Sequence, residues 1–451
     1  MSPSGLLRAV IVDPRFEELW SDRAVIAAML AVEACLAECE AEFRLAPDGL
    51  AAAIRSIAPE AFEPVVMAEE ARRSAVPTIA FLEALSAQLP PHLASALHRG
   101  ATSQDLLDSA LALLVARSLR RVAEELASAL DALAALAARH AGLVCLGRTY
   151  GQAAAPTTFG ARAGQWALGL AEPAAELPDL LRSVPAVSLG GPVGIATAFG
   201  ESAPLLIARL ASRLGLAAEP LAWHGRRWRI ARVGFWLAGV VGAAAKVARD
   251  LSDLRAEEVG EIVERGGGGG SSAMPHKRNP ASETAILAAQ HLAPSLAASL
   301  LAAMAVAQER GGGGWQAEWQ ALPQLCLLAG SAVSTLGRLT ESVLPEERRI
   351  AANLAAARGL VFAERAAEAS AQRLGRKGAR EAVSRAAESV RAGAFASLAE
   401  ALRAAGHEDA ALACSAEAAA AAGERFAHAA AARARETAAT LRRAAAEGRE
   451  T

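Results

Sequence analysis

Leucines and valines recur about one helical turn apart over long stretches of this chain. Between residues 105 and 140 they fall at Leu107, Leu111, Leu114, Leu119, Val122, Leu126, Leu130 and Leu133. Spacings of three, four and five residues put these positions on one face of a long amphipathic helix. The pattern repeats from Trp228 to Val263 through Ile230, Val233, Leu237, Val240, Val241, Val247, Leu251 and Leu254. A third long helix is predicted over Ala281 to Glu309. The first 99 residues break into shorter helices at Pro47, Pro59, Pro64, Pro77, Pro90 and Pro91, since an interior proline removes a helix hydrogen bond. Pro345 and Gly359 open a C-terminal region predicted to hold short, alanine-rich helices. The expectation is all-α, in three regions: a helical N-terminal domain (1–99), a central long-helix bundle (100–343) and a helical C-terminal domain (344–451). The faces of the body helices are too apolar for a lone bundle, which points to burial between subunits as well.

Composition agrees with a helical protein. Hydrophobic residues make up 53% of the 451 positions, much of it alanine, and aromatics only 4%. Alanine, leucine, glutamate and arginine are strong helix formers. The net charge is −2 with both signs interleaved, which gives no footprint for nucleic acid. Cys35, Cys39, Cys145, Cys326 and Cys414 form no CxxC pair. They read as small buried thiols, with no disulfide frame and no metal site. The first twenty residues carry acids and a proline where a signal peptide needs an apolar core. No apolar run is both long and charge-free enough for a membrane span. A soluble cytoplasmic protein without a cofactor is expected.

The densest chemistry lies at 266–280, GGGGGSSAMPHKRNP. Five glycines in a row do not hold a helix or strand, because each loses the most backbone entropy on ordering. Two hydroxyls and a lysine follow, which suits a mobile lid closing on an anionic substrate. A second cluster is GATSQDLLD at 100–108. Thr102 and Ser103 precede a helix with Asp105 and Asp108 in its first turn, a good cap. Hydroxyls and free N–H groups at a helix start also make a carboxylate site.

GSSAMPHKRNP resembles the mobile-loop motif of the fumarase/aspartase superfamily, Gly-Ser-Ser-x-Met-Pro-x-Lys-x-Asn-Pro, at every fixed position. GATSQD resembles the family's first motif region, where the Thr-Ser pair holds a substrate carboxylate. GRTYGQAAAPTTFG at 147–160 resembles the second, with Thr149, Gln152, Pro156, Thr157 and Thr158 in place. Two positions depart. Tyr150, the single tyrosine, stands where lyases place a general-acid histidine, and Ala153 where the carboxymuconate cycloisomerases place theirs. Trp223-His224-Gly225-Arg226-Arg227-Trp228-Arg229 and the stretch from Glu309 and Arg310 to Trp315, Gln316, Ala317, Glu318 and Trp319 are similar to segments of those cycloisomerases, with Gln316 replacing a second histidine. Residues 72–77, RRSAVP, resemble their Gly-Asn-x-Ala-Ile-Pro with Arg73 in the asparagine position.

The resemblance implies an all-α tetrameric lyase with active sites shared among three chains, acting on a di- or tricarboxylate. Ser271 is implied as the base that removes a proton beside a carboxylate, with Lys277 and Asn279 facing the enolate-like charge. Ser272, Thr149, Gln152 and Thr157 are implied in substrate binding, and Met274 in packing the loop down. Arg227 and Arg73 are candidate substrate cations; for Arg73, near a helix end, a solvated charge is the plainer alternative. Tyr150 either donates the leaving-group proton or only shapes the pocket. The carboxymuconate cycloisomerase-like branch is implied. Nitrosuccinate-type, adenylosuccinate-type and argininosuccinate-type elimination are the alternatives, and a non-catalytic relative is the reading from another class.

Overall fold

The computed structural model describes residues 5–266 and 268–447. Gly267 of the predicted loop and both extreme ends of the chain lie outside the described residues. The eight longest helices are α1 (Asp22–Glu42), α2 (Ser103–Arg139), α3 (Phe159–Ala174), α4 (Trp228–Arg255), α5 (Ala281–Ala302), α6 (Gly314–Ser342), α7 (Ala363–Arg391) and α8 (Glu417–Ala446). Two small antiparallel ribbons accompany them, β1 (Val144–Thr149) with β2 (Gln152–Thr158), and β3 (Ile262–Glu264) with β4 (Val343–Pro345). The protein is all-α, and the ribbons are short additions to it.

One core joins α2 to α6 and α8. Leu126, Leu130 and Leu133 of α2 are fully buried with Leu237 and Val240 of α4, Ile286 of α5, Leu325 and Leu336 of α6, and Leu441 of α8. The predicted face of α2 is therefore its core face. Helix α4 is shorter than the periodicity implied. The chain leaves it at Ala256 (ψ 140°), turns at Gly260 (φ +59°) and enters β3. Helix α5 stops at Ala302 because the chain must fold back into α6. Gly314 sits so close to the Ala303 carbonyl that a Cβ there would lie 2.7 Å from its oxygen.

The C-terminal region departs from expectation. It holds two helices of 29 and 30 residues, the first broken at Gly375 (φ +70°, ψ 158°). Helix α8 leaves the tail and lies in the body core, where Ala431, Ala434 and Ala438 are fully buried. Alanine suits this place because its small side chain lets helix backbones approach closely.

Two helices, α4 and α5, are long and apolar enough to cross a membrane by length and composition, which corrects the expectation that no run qualifies. Their alanines supply much of that hydropathy. The apolar window of α4 is 61% buried in the bundle and that of α5 only 28%.

Helix α1 carries two buried carboxylates, Glu33 and Glu40. Burial, then the charge of Glu33, push the Glu40 carboxyl up to about 8. A folded pKa above the unfolded one means that the native state binds the proton more tightly. The stability from this group is then complete below pH 4.5 and is lost as pH rises toward 8. Glu40→Gln mimics the protonated form. It should raise stability at pH 7 by up to about 3 kcal/mol and change little at pH 4. Thermal unfolding at both pH values checks this, and an equal shift at the two would refute it.

Candidate active site

One end of the molecule carries Thr102 and Ser103. Thr102 is the N-cap of α2, and its backbone N–H donates to Asp105 Oδ2 at 3.0 Å. Asp105 is buried and serves as a hub. Its oxygens accept from Gly190 N (2.9 Å) and Gly191 N (2.8 Å), and Oδ1 lies 2.7 Å from His224 Nε2. One turn on, Asp108 accepts two bonds from Arg227 (2.7 and 3.1 Å), one from Trp315 Nε1 (2.9 Å) and one from Gln104 Nε2 (3.2 Å). Arg227 also donates from Nε to Glu318 Oε1 at 2.9 Å and lies over the Trp223 ring. The strings GATSQD, WHGRRWR and WQAEW thus form one buried polar network beneath the two hydroxyls.

This corrects the reading of Arg227 as a substrate cation. Its side chain is 1% exposed and both of its partners are buried carboxylates. Burial works against the charge, but Asp108 and Glu318 hold the guanidinium more basic than usual. Arg73 is different. It is exposed and bonds Glu70 at 2.6 and 2.9 Å, a surface pair worth little. Arg310 is the cation that reaches Thr102. Its Nη1 donates to Thr102 Oγ1 at 2.5 Å, and among the described residues it has no carboxylate partner. Gln316 accepts from Gly313 N at 2.8 Å and reaches the Ala75 carbonyl at 3.4 Å, which ties this corner to the segment carrying Arg73.

The opposite end carries the remaining groups. Thr149 and Gln152 close the β1–β2 ribbon, with Tyr150 (φ +50°) and Gly151 (φ +75°) as its two-residue turn. Two left-handed residues in succession are the turn type that matches the twist of a hairpin. The Tyr150 side chain is fully exposed at this tip, and Thr157 is half-buried nearer the root. At the root, Arg148 makes a two-point pair with Glu261 (2.6 and 3.0 Å), which Asn353 also contacts at 3.0 Å. Burial opposes that carboxylate's charge, but the Arg148 and Asn353 bonds hold Glu261 below the ordinary range. The ribbon is thereby tied to the segment that opens β3 and the glycine loop.

That loop is pinned at both ends. Gly269 and Asn279 exchange backbone hydrogen bonds at 2.8 and 2.7 Å, and Asn279 Nδ2 donates to the Gly270 carbonyl at 3.2 Å. Between them, Ser271 Oγ accepts from Met274 N at 3.0 Å and Ala273 N at 3.4 Å. Among the described residues no other loop hydroxyl receives a backbone N–H. Donors aimed at an oxygen that is to carry charge stabilise an alkoxide. Ser272 and Lys277 are exposed. Met274, expected to pack the loop down, stays 41% exposed, with none of the described elements covering it. A cleft of about 970 Å³ lined by Arg255, Glu264, His276, Lys277 and Arg278 adjoins the loop.

The two ends stand far apart. Helix α2 joins Thr102 to the ribbon through 37 residues, about 55 Å at 1.5 Å per residue. Helix α6 spans about 40 Å the same way, from Trp315 beside Asp108 to Ser342, whose carbonyl accepts from Arg265 N at 3.0 Å. Within a single chain the root of Tyr150's ribbon is tied through Arg148 and Glu261 to the segment ahead of β3, while Thr102 and Ser103 lie at the other end.

A helical bundle with this loop and this capped carboxylate end defines a lyase. The lyase family profile matches residues 13–291. The chain belongs to the fumarase/aspartase superfamily, on its carboxymuconate cycloisomerase-like branch. It is 35% identical to the 3-carboxy-cis,cis-muconate cycloisomerase of Bradyrhizobium diazoefficiens over 83% of this chain and 85% of that protein. It is 38% identical to the nitrosuccinate lyase of Streptomyces davaonensis, over 89% and 87%. The crystal structure of the 3-carboxy-cis,cis-muconate lactonizing enzyme from Pseudomonas putida superposes with a TM-score of 0.89, at 29% identity, over 96% of this chain and 99% of that one.

Proposed function

We propose that this enzyme forms or breaks a bond at the carbon β to a substrate carboxylate, with Ser271 as the base. The observation that carries this reading is the pair of backbone N–H groups on Ser271 Oγ. Serine is a poor base until its alkoxide is stabilised. In the elimination direction Ser271 Oγ takes the proton from the carbon beside a carboxylate. The electron pair moves onto that carboxylate as enolate-like charge facing Lys277 and Asn279. Collapse of that charge forms the double bond and expels the β-substituent. Addition is the same path reversed. Thr102, Ser103 and Arg310 hold the other carboxylate, while Ser272, Thr149, Gln152 and Thr157 line the pocket.

The length of α2, about 55 Å, supports a site in which Thr102 and Ser103 of one copy meet the loop of another. A homotetramer with sites shared among three chains satisfies this. It would also cover the open apolar face of α5, where Leu292 and Leu301 are about half exposed. Light scattering should give four chains per particle, and a stable active monomer would refute the shared site.

Lactone formation from 3-carboxy-cis,cis-muconate is the parent reading on this branch. A specific observation favours a second. Position 150 holds an exposed tyrosine, position 153 an alanine, and Gln316 is occupied as a helix cap. With no imidazole at these places, a leaving group that departs as a stable anion is preferred, and nitrite from nitrosuccinate fits. Incubation with carboxymuconate, nitrosuccinate, adenylosuccinate and argininosuccinate, following lactone, nitrite and fumarate, separates the branches. Failure with all four would sink the reading. Tyr150→Phe should leave kcat within about threefold, because a phenol is a weak acid at neutral pH. A loss matching that of a Ser271 variant would assign Tyr150 the proton and point to a more basic leaving group.

A further inference from the structure

Just ahead of Thr102 the chain makes a turn held by an interaction that the chemistry above does not use. His98 Nδ1 lies 2.6 Å from Glu33 Oε1, and the Glu33 side chain is almost wholly buried in α1. His98 has φ +57° and Gly100 φ +70°. A left-handed backbone is unfavourable at a residue with a Cβ, and the side-chain contact to Glu33 offsets part of that cost at His98. Gly100 is wedged as well, since a Cβ would fall 2.6 Å from the Phe199 ring and 2.8 Å from Ala198 Cβ. Arg99 fixes the outer side by donating to the Leu45 carbonyl at 2.6 Å.

We infer that the Glu33–His98 pair is a positioning device for the carboxylate-binding end: it sets the 98–102 turn, and through it the orientation of Thr102 and Ser103. This rests on the reading of those two residues as substrate-carboxylate ligands. His98 does not itself touch the substrate.

The pair is also proton-dependent. The charged groups facing His98 are Glu33 and Glu40 from α1 and Asp105 from α2, with Arg99 on its own turn. Burial opposes the imidazolium, but Glu33, by charge and hydrogen bond, with Asp105 and Glu40 behind it, holds His98 above its ordinary value. Glu40 keeps its proton up to about pH 8, and Glu33 is the acid within hydrogen-bond distance of the imidazole. A raised histidine contributes fully below pH 6.5 and is lost as pH rises through its folded value. The turn therefore loosens toward alkaline pH, and carboxylate affinity falls while Ser271, at the other end of the chain, is unaffected.

The test uses the full protein, Glu33→Gln and His98→Asn. Asparagine tolerates the left-handed backbone and still bonds a carboxylate, but it does not titrate. Amide hydrogen exchange of the 98–106 segment, without ligand at pH 6.5, should be at least about tenfold faster in Glu33→Gln than in the parent. Calorimetry with succinate should show the parent's Kd rising about tenfold between pH 6 and pH 9, with His98→Asn flat across that range. Unchanged exchange in Glu33→Gln, or a His98→Asn profile that still follows pH, overturns the inference. Faster exchange in a protein that binds no succinate at any pH supports the turn-holding role and overturns the carboxylate reading of Thr102 and Ser103. Should Glu33→Gln not fold, the His98→Asn profile alone decides.

Discussion

Ser271→Ala should lower kcat by about 10³-fold or more while leaving helix content and assembly unchanged. The estimate follows from losing the proton acceptor together with the charge that its two backbone donors stabilise, each an effect of order 10²-fold or larger. Ser271 lies in an open loop that contributes nothing to the apolar core, so the fold has no stake in its hydroxyl. Ser272 is the internal control. It is exposed and, among the described residues, receives no backbone N–H, so Ser272→Ala should cost far less. Steady-state kinetics with circular dichroism and light scattering on both variants decide the matter. A Ser271→Ala enzyme within tenfold of the parent would move the base elsewhere.

Arg227→Met should be the most damaging substitution for the fold. It leaves Asp108 and Glu318 buried at 0–1% exposure without their shared cation. Breaking a buried ion pair by removing one partner costs about 3–5 kcal/mol, a large part of the stability of an ordinary domain. Because Asp108 lies less than two turns beyond the Thr102 cap, any protein that does fold should show a raised KM. The triple replacement Arg227→Met, Asp108→Leu, Glu318→Leu should recover much of the loss, since a neutral packed set needs no pairing. Thermal unfolding and soluble yield measure both effects. A single variant within about 1 kcal/mol of the parent would show that the site is wetter than the structure has it.

How much of this was legible in the sequence depends on where each signal resides. The leucine stripe from Leu107 to Leu133 is local, and α2 follows it closely. Helix α8 gave no comparable stripe, because a run of alanines has little contrast between faces. That is why the tail read as short pieces. The β1–β2 ribbon was silent for a similar reason: its second strand exposes Gln152, Ala153, Ala154 and Ala155 in succession, with no alternation. The strings around Thr102, Tyr150 and Ser271 were visible as motifs, but the length of α2 that parts them is a property of the folded chain. Arg227 was misplaced because its carboxylates lie 119 and 91 residues away. A sequence window shows a cation without its partners. Asp105 and Asp108 likewise read as cap residues, whereas they also anchor one buried network from adjacent turns of the helix.

The packing of α8 against α2 bears on how the chain comes to be folded at all. Arg442 and Asp131, which bond at 2.5 Å, are 311 residues apart. The surface of α2 that the thirty-residue helix α8 covers stays open to solvent until residues 417–446 have left the ribosome. Contacts of such sequence separation form late and slowly. The body of this enzyme therefore cannot be completed in the order in which it is made. A premature stop anywhere ahead of Glu417 would leave an apolar groove the length of the molecule's central helix, and the loss would fall on solubility before it fell on catalysis.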